Sequence, residues 1–433
     1  MKYIRKELKD YFKNKTVFIY FVLLFILISY SFYASVDLYS KASVSAIGNP
    51  LYATGFEPVP GVFVPAIGGF FIILSLIAPF LFVQPIVNEK KNNTITILAQ
   101  LPVSMNFLFF KKYLAAMIIL VFSFISVFPI VLGWYFLGGH VPVSELLLLL
   151  IGYFLYGMFV ISVSFFSASI FRENAHASIF SLSLLVFPWF VDFGREMNIL
   201  SFFNVFSKWT VTNQLKFFEN GILSLQSVFY FILLILLFAF SGFLFFDFNI
   251  KNKIKPLFIT IFVFALLFVL NNGIHFDFDL SESRRNSFSI AETRFLKKLP
   301  PLTITIFLEP TDSRTKDYLN DFLKKLKMVK NDVTVRFVSG KSLESEYGKF
   351  RYSFDGKSAE TYSNSEEEIF MLLQELSGKK IEKSSTETHY KGFPLVVKKN
   401  WSVFLFAFYL IGLPFVLFII YYKTNIFYNR RKL

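Results

Sequence analysis

Two Gly-Lys-Ser tripeptides, Gly340-Lys341-Ser342 and Gly356-Lys357-Ser358, are the first residues in this chain that suggest chemistry. A lysine behind a glycine loop can hold nucleotide phosphates, but the loop needs a second glycine five positions earlier so that the backbone wraps the phosphates. Val335 and Arg351 occupy those positions, so both tripeptides read as turns or loops. The histidines His140, His176, His275 and His389 fall in four separate regions without His-Glu-x-x-His spacing, which leaves no local metal motif. No Gly-x-Ser-x-Gly elbow occurs. The chain has no cysteine, which removes disulfides, thiolate metal sites, iron–sulfur ligation and cysteine nucleophiles together. Glu309 and Asp312 read as surface carboxylates, and Asp192 and Asp247 sit at the ends of apolar runs. The runs themselves are expected to hold no buried charged pair, which argues against an ion-coupled carrier. No catalytic site, resident metal or cofactor is expected in this chain.

The most informative stretch is Asn88-Glu89-Lys90-Lys91-Asn92-Asn93-Thr94-Ile95-Thr96-Ile97-Leu98-Ala99-Gln100-Leu101-Pro102-Val103-Ser104. A charged exit leads into a short amphipathic piece, and Pro102 and Ser104 break it before the next apolar run. One reading is a surface helix whose apolar face, Ile95, Leu98 and Leu101, enters a partner's groove. The other is a plain loop held at a membrane interface. Lys90 and Lys91 read as exposed charges at the rim.

The elements that position this loop follow from composition. Among 433 residues 55% are hydrophobic, 17% are charged and 61 are phenylalanine, with a mean hydropathy of +0.54. A soluble fold of this length, about three domains by the usual prior, has no core able to hide that much apolar surface. Disorder fails for the opposite reason, since disordered chains are poor in aromatics. The chain reads as a polytopic α-helical membrane protein. Eight apolar runs approach the length of a span: Val17–Ala34, Val62–Val87, Tyr113–Phe136, Leu146–Ile170, Ala175–Val191, Val228–Phe248, Pro256–His275 and Val403–Tyr422. Alternation puts 18 Lys/Arg with the termini and the loops around 89–112, 172–173 and 249–255, against four in the short loops of the other side. That bias predicts both termini in the cytoplasm of a multi-pass protein of the cytoplasmic (inner) membrane. The basic surplus therefore speaks for topology and against nucleic acid. Residues 3–12 put Ile4, Leu8, Tyr11 and Phe12 on one helical face, which predicts an interfacial helix leading into the first span. A plain basic flank is the alternative.

Between the seventh and eighth runs the composition changes. Phe276 to Asn400 holds 22 Lys/Arg and 19 Asp/Glu, a soluble block that the orientation places outside the cytoplasm. Leu302–Leu308 and Val333–Val338 alternate as strands, Asp317–Val329 and Glu366–Leu376 read as amphipathic helices, and Ser339–Asn364 reads as loop. This predicts a small α/β domain around a β-α-β unit.

With Glu89, Thr94, Leu98, Pro102 and Ser104 at their spacing, residues 1–250 resemble type 2 ABC transporter permeases. In that family the second and third spans are joined by a Glu-led stretch with Gly-Thr-x-Glu, two leucines and Pro-x-Ser; Asn93 stands here for the glycine and Thr96 for the second glutamate. The resemblance implies a six-span core with an N-terminal interfacial helix. It also implies a coupling helix, with Glu89, Thr94, Ile95, Leu98, Leu101, Pro102 and Ser104, that docks on a separate ATPase subunit carrying ATP and Mg. The partners implied are a dimer of that ATPase, a second permease copy or paralogue, and the bilayer. Phe276-Asp277-Phe278-Asp279-Leu280-Ser281 with Arg284, Arg285 and Ser289, the final span and the tail Arg430-Arg431-Lys432 resemble the auxiliary membrane component of gliding-motility-type ABC transporters, much shortened. The expected organisation is a permease core over 1–250, a seventh span over 256–275, an extracytoplasmic α/β domain over 276–400, and an eighth span with a basic tail over 401–433. The expected activity is that of a non-enzymatic permease subunit of an ATP-driven exporter. The alternative is a subunit of an ABC-type envelope machine that moves the outer domain against envelope proteins without carrying a solute.

Overall fold

The structure is a computed structural model that describes residues 2–381 apart from 49–56, 101–103, 197–205, 248–249, 251, 275, 283, 310–311, 331 and 339–345. Beyond 381 it describes 395–398 and short pieces between 403 and 419. Among these residues seven helices are long and apolar enough to cross a membrane, which makes the chain a multi-pass helical protein. The chain divides into two compact units, Met1–Leu280 with Tyr390–Leu433, and Ser281–His389.

In the helical unit, α1 (Lys2–Lys13) and α2 (Lys15–Gly48) meet at Asn14, whose side chain accepts from the Thr16 amide. Helix α2 continues well past the expected end of the first span, and Lys41 and Asp37 pair at 2.6 Å on its polar extension. The second span arrives in pieces: α3 (Val64–Leu76), α4 (Ala78–Phe82) and α5 (Gln84–Lys91). Pro79 and Pro85 cause the breaks, since neither can donate to the turn before it. After α6 (Thr94–Gln100), the third span is α7 (Met105–Ser123) and α8 (Val127–Phe136), joined by a 3-10 turn where Pro129 removes another donor. Helix α9 (Val143–Ile170) is the most enclosed span and packs against α7, α10 (Asn174–Glu196) and α12 (Leu225–Phe246). Between α10 and α12 lies the short amphipathic α11 (Val211–Glu219), tied to Asp192 by Thr210 at 2.9 Å and Asn213 at 3.2 Å. Helix α13 (Ile254–Asn271) packs mainly on α12 and is the least buried of the seven long apolar helices among the described residues. Of the expected eighth span, Val403–Tyr422, the structure describes short helical pieces between 403 and 419, among them a π-helical turn at Phe408–Gly412.

Hydrophobicity does not bring helices together in lipid, so polar bonds and small residues must. Tyr20 donates to Ser123 at 3.1 Å, and Ser75 and Tyr156 are 2.6 Å apart, as are Tyr113 and Ser162 at 2.7 Å. A Cβ on Gly242 would sit 3.1 Å from the Phe166 backbone, so glycine there lets α12 lie directly on α9. The α12–α13 hairpin is closed at one end by a two-stranded antiparallel ladder, β1 (Ile222–Ser224) with β2 (Asp277–Asp279). The Phe276–Leu280 stretch therefore serves as a strand that clamps two spans.

The second unit is a four-stranded sheet of order β4-β3-β5-β6 with helices α14 (Ile290–Lys297), α15 (Ser313–Tyr318), α16 (Lys324–Val329) and α17 (Glu366–Ser377). Strand β3 (Leu302–Ile306) runs parallel to β4 (Val333–Phe337), the expected β-α-β unit, although the crossover helix starts earlier than the pattern suggested and contains a π turn at Leu319–Leu323. Leu302, Ile304 and Ile306 bury alternately against Phe322, Leu326 and Ile369. The expectation of a loop over Ser339–Asn364 is corrected. Strands β5 (Phe350–Phe354) and β6 (Lys357–Thr361) form a hairpin there, with Phe350, Tyr352 and Phe354 facing the core. Its turn is Asp355-Gly356, at φ +48 and +74, the pair of positive dihedrals a two-residue hairpin needs. Gly356-Lys357-Ser358 is thus turn and strand; Gly340-Lys341-Ser342 lies outside the described residues.

Residues 281–389 expressed alone are expected to fold cooperatively and to show no nucleotide binding. Gly356→Val should lower the unfolding free energy of that fragment by about 1–2 kcal/mol, because a β-branched residue at φ +74 is strained. Chemical denaturation followed by circular dichroism reads both, and an unchanged midpoint would refute the turn assignment.

Candidate functional site

The loop singled out in the sequence lies at one end of the helical unit, together with the C-termini of α9 and α12. Helix α5 stops because Asn93 takes the left-handed conformation at φ +55, with its amide bonded to the Lys90 carbonyl at 3.2 Å. After glycine, asparagine is the residue that adopts this conformation most readily, so the departure at Asn93 keeps the backbone that a glycine would supply. Thr94 then opens α6, and Ser104 caps α7 by accepting from the Phe107 amide at 3.4 Å. Thr96 and Leu98 lie within α6, whereas Leu101, Pro102 and Val103 lie outside the described residues.

The faces of α6 differ from the expectation in one respect. Ile95 is buried in the chain's own core, at 2% exposure, and is not offered to a partner. Ile97 is the apolar residue that stands out, at 61% exposure. Helix α6 is short and follows directly on α5, with the Ile95 side chain turned into the core and the Ile97 side chain in solvent.

Glu89 is held from inside. The Lys112 ammonium, 2% exposed, lies 2.7 Å from Glu89 Oε1 and 3.0 and 3.1 Å from the two oxygens of Glu7. All three ammonium hydrogens thus have a carboxylate oxygen. Burial pushes the Glu89 carboxyl up from its ordinary range, Lys112 opposes this, and Glu7 adds to it. Glu89 Oε2 has no hydrogen-bond partner among the described residues. Neither Lys112 nor Glu7 was anticipated. Helix α7 begins at Met105, so Lys112 lies two turns inside a helix that the hydropathy pattern opened at Tyr113, and its buried ion pairs stand at the end of that span, outside the expected apolar runs. The available signal was Glu7, a carboxylate set on the apolar stripe of Ile4, Leu8 and Tyr11. That stripe packs α1 onto α7, with Tyr11 buried and Tyr3 edge-on to Phe107 at 6.0 Å.

Lys90 is likewise not a rim charge. Its ammonium donates to the carbonyls of Ala168 at 2.8 Å and Ser169 at 2.5 Å, which caps the C-terminus of α9 where the helix dipole favours a cation. Lys253 does the same for α12 by donating to the Phe245 carbonyl at 2.7 Å. Burial pulls Lys90 down to about 8, and Lys253 and Arg172 add to the effect. Asn174 donates to Asn88 at 2.8 Å, which joins the α9–α10 loop to α5. His176 is exposed and lies 3.3 Å from Glu173. Two loops therefore form one surface, pinned to α1, α7 and α9. Among the described residues no group of three His, Asp or Glu gathers to hold a metal. No protein-family model, curated protein or solved structure matches the chain.

Lys112→Met should destabilise the detergent-purified protein by about 3–5 kcal/mol, since it strands two carboxylates in a buried site. Adding Glu7→Gln and Glu89→Gln should recover most of the loss, as read by thermal unfolding; no recovery would mean the lysine acts by packing alone. Lys90 should lose its proton as pH rises through about 8, well below the ordinary lysine value of about 10.4. Amine acetylation quantified by mass spectrometry reads the midpoint, and a value near 10 would contradict the burial.

Proposed function

We propose that the chain is the membrane-spanning permease subunit of an ATP-driven exporter of the ABC-2 type, and that a separate ATPase docks at the end carrying α5 and α6. The observation that supports this most is α6 itself. A short helix with an exposed isoleucine stands between the Asn93 turn and the Ser104 cap, and its root, Glu89-Lys90, is bonded to α7 and α9. A push on Ile97 would reach the spans through hydrogen bonds and ion pairs instead of being absorbed by a slack loop. ATP and Mg belong to the partner, and the proposed coupling set is Glu89, Thr94, Ile97, Leu98, Leu101, Pro102 and Ser104 with the 172–176 loop beside it. In this reading Ile95 positions the helix. The basic bias places this end and both termini in the cytoplasm, and the α/β unit on the far side of the cytoplasmic membrane.

The test separates two neighbours on one helix. Burying an isoleucine contributes about 1.5–3 kcal/mol, so Ile97→Asp should weaken the ATPase complex by roughly two orders of magnitude while the protein still reaches the membrane. Ile95→Asp should instead lower the amount of folded protein, because the carboxylate enters the chain's own core. Co-purification from mild detergent reads the first and membrane abundance the second. An Ile97→Asp protein that retains a fully stimulated ATPase would overturn the docking surface. Reporter fusions near residue 380 should read outside the cytoplasm, and cytoplasmic activity there would reverse the orientation.

A further inference from the structure

Helices α12 and α13 leave an open apolar groove between them with a volume of about 540 Å³. Leu236, Ala239, Phe240 and Phe243 line one wall, and Ile259 and Val263 the other. The polar side chain in the lining, Thr260, is turned inward and donates to the Pro256 carbonyl at 2.8 Å, so the groove presents hydrocarbon alone. Both ends of the hairpin are fixed. The β1–β2 ladder closes one, and at the other Lys253 donates to the Phe245 carbonyl, its ammonium 5.8 Å from the Phe245 ring. The groove is therefore held open by the fold.

Its depth identifies the occupant. Phe243 lies one turn inside the end of α12 and Ile259 just over one turn inside the start of α13. Leu236 lies ten residues inside, about 15 Å at 1.5 Å per residue. That is one leaflet of a hydrocarbon core about 30 Å thick. The groove thus runs from the basic end to about mid-membrane, the reach of a single acyl chain. At its mouth lie Lys253 and the exposed Lys255, with Asp247 as the acidic neighbour of Lys253. Lys90 and Arg172 are close enough to join the same positive field.

We propose that this groove holds one acyl chain of an anionic phospholipid from the leaflet at the basic end, with the lipid phosphate resting at Lys253 and Lys255. The hairpin geometry supplies the slot for the tail, and the two lysines supply the preference for a negative headgroup. A polar solute finds no partner in the groove, and a zwitterionic lipid fills it but carries a headgroup cation that offsets the attraction of its phosphate to the lysines. The inference needs only that the helices cross a membrane, and it stands apart from the coupling reading.

The test is native mass spectrometry of the full chain, delipidated and titrated with phosphatidylglycerol or phosphatidylcholine of the same acyl length. Wild type is expected to retain one phosphatidylglycerol at least roughly tenfold more tightly than phosphatidylcholine. Ala239→Trp and, from the facing helix, Val263→Trp should each fill the slot and lower retention of both lipids roughly tenfold, as loss of a large buried apolar contact does. The double variant Lys253→Gln/Lys255→Gln, which keeps a donor for the Phe245 carbonyl, should bring the two lipids to equal affinity. Equal retention of the two lipids by wild type would overturn the proposal. So would a tryptophan variant of wild-type helicity and elution that keeps its phosphatidylglycerol, or lysine variants that keep the preference.

Discussion

A buried ammonium is tolerated only where its hydrogen bonds are complete, and the Lys112 site meets that condition by drawing on three separate elements. Glu7 comes from α1, Glu89 from α5 and Lys112 from α7. None of these can move alone without leaving a charge unpaired at low dielectric, so the site fixes where the amphipathic N-terminal helix lies and where the second span ends. The remaining geometry of that end follows. With α5 fixed, Lys90 reaches the α9 carbonyls and Asn88 reaches Asn174. Burial governs Glu89 even beside a lysine, with the Glu7 charge adding to it and Lys112 and Lys6 opposing it.

Within the spans the logic is different. Apolar contact with a neighbouring helix replaces equally apolar contact with lipid, so most of the 61 phenylalanines cannot explain association by burial. Geometry and hydrogen bonds can. Tyrosine hydroxyls meet serines between α2 and α7, between α3 and α9, and between α7 and α9. Each serine also donates back to its own helix, so in these three clasps every hydroxyl hydrogen has an acceptor. Edge-on ring pairs such as Tyr39 with Trp134, at 5.2 Å, fill the gaps between these clasps. Helix α13 has few of these devices, and it is also the span whose surface is most open to lipid.

Much of this was legible, and the misses share a cause. Length and hydropathy located the spans because a bilayer imposes one requirement on about twenty consecutive residues, and seven of the eight expected runs are long apolar helices here. The β-α-β unit was legible because Leu302, Ile304 and Ile306 alternate. The β5–β6 hairpin carried its own signal, Asp355-Gly356 between Phe350-x-Tyr352-x-Phe354 and Lys357, but the surrounding serines and glycines outweighed it. Lys112 was illegible from hydropathy because a window treats any lysine as solvated. Its partners lie 105 and 23 residues away in sequence. Ile95 and Ile97 look equivalent by composition and are separated only by which side of α6 meets the chain's own core.

That last distinction bears on how a loop could act as a lever. A helix that transmits force needs one face bonded to what it moves and another free for what moves it. Spacing alone assigned Ile95 to the free face, yet Ile95 belongs to the core and Ile97 to the surface. The Asn93 turn sets this rotation, because the left-handed residue fixes the direction in which the chain leaves α5 and therefore which residues of α6 point back. A residue strained at positive φ would let α6 swing, and the Ile95 anchor would be lost with it. Anchor, turn and root then form one mechanical unit, Glu89-Lys90 bonded to two spans, Asn93 setting the angle and Ile95 holding it. Any partner at Ile97 would act on all three together.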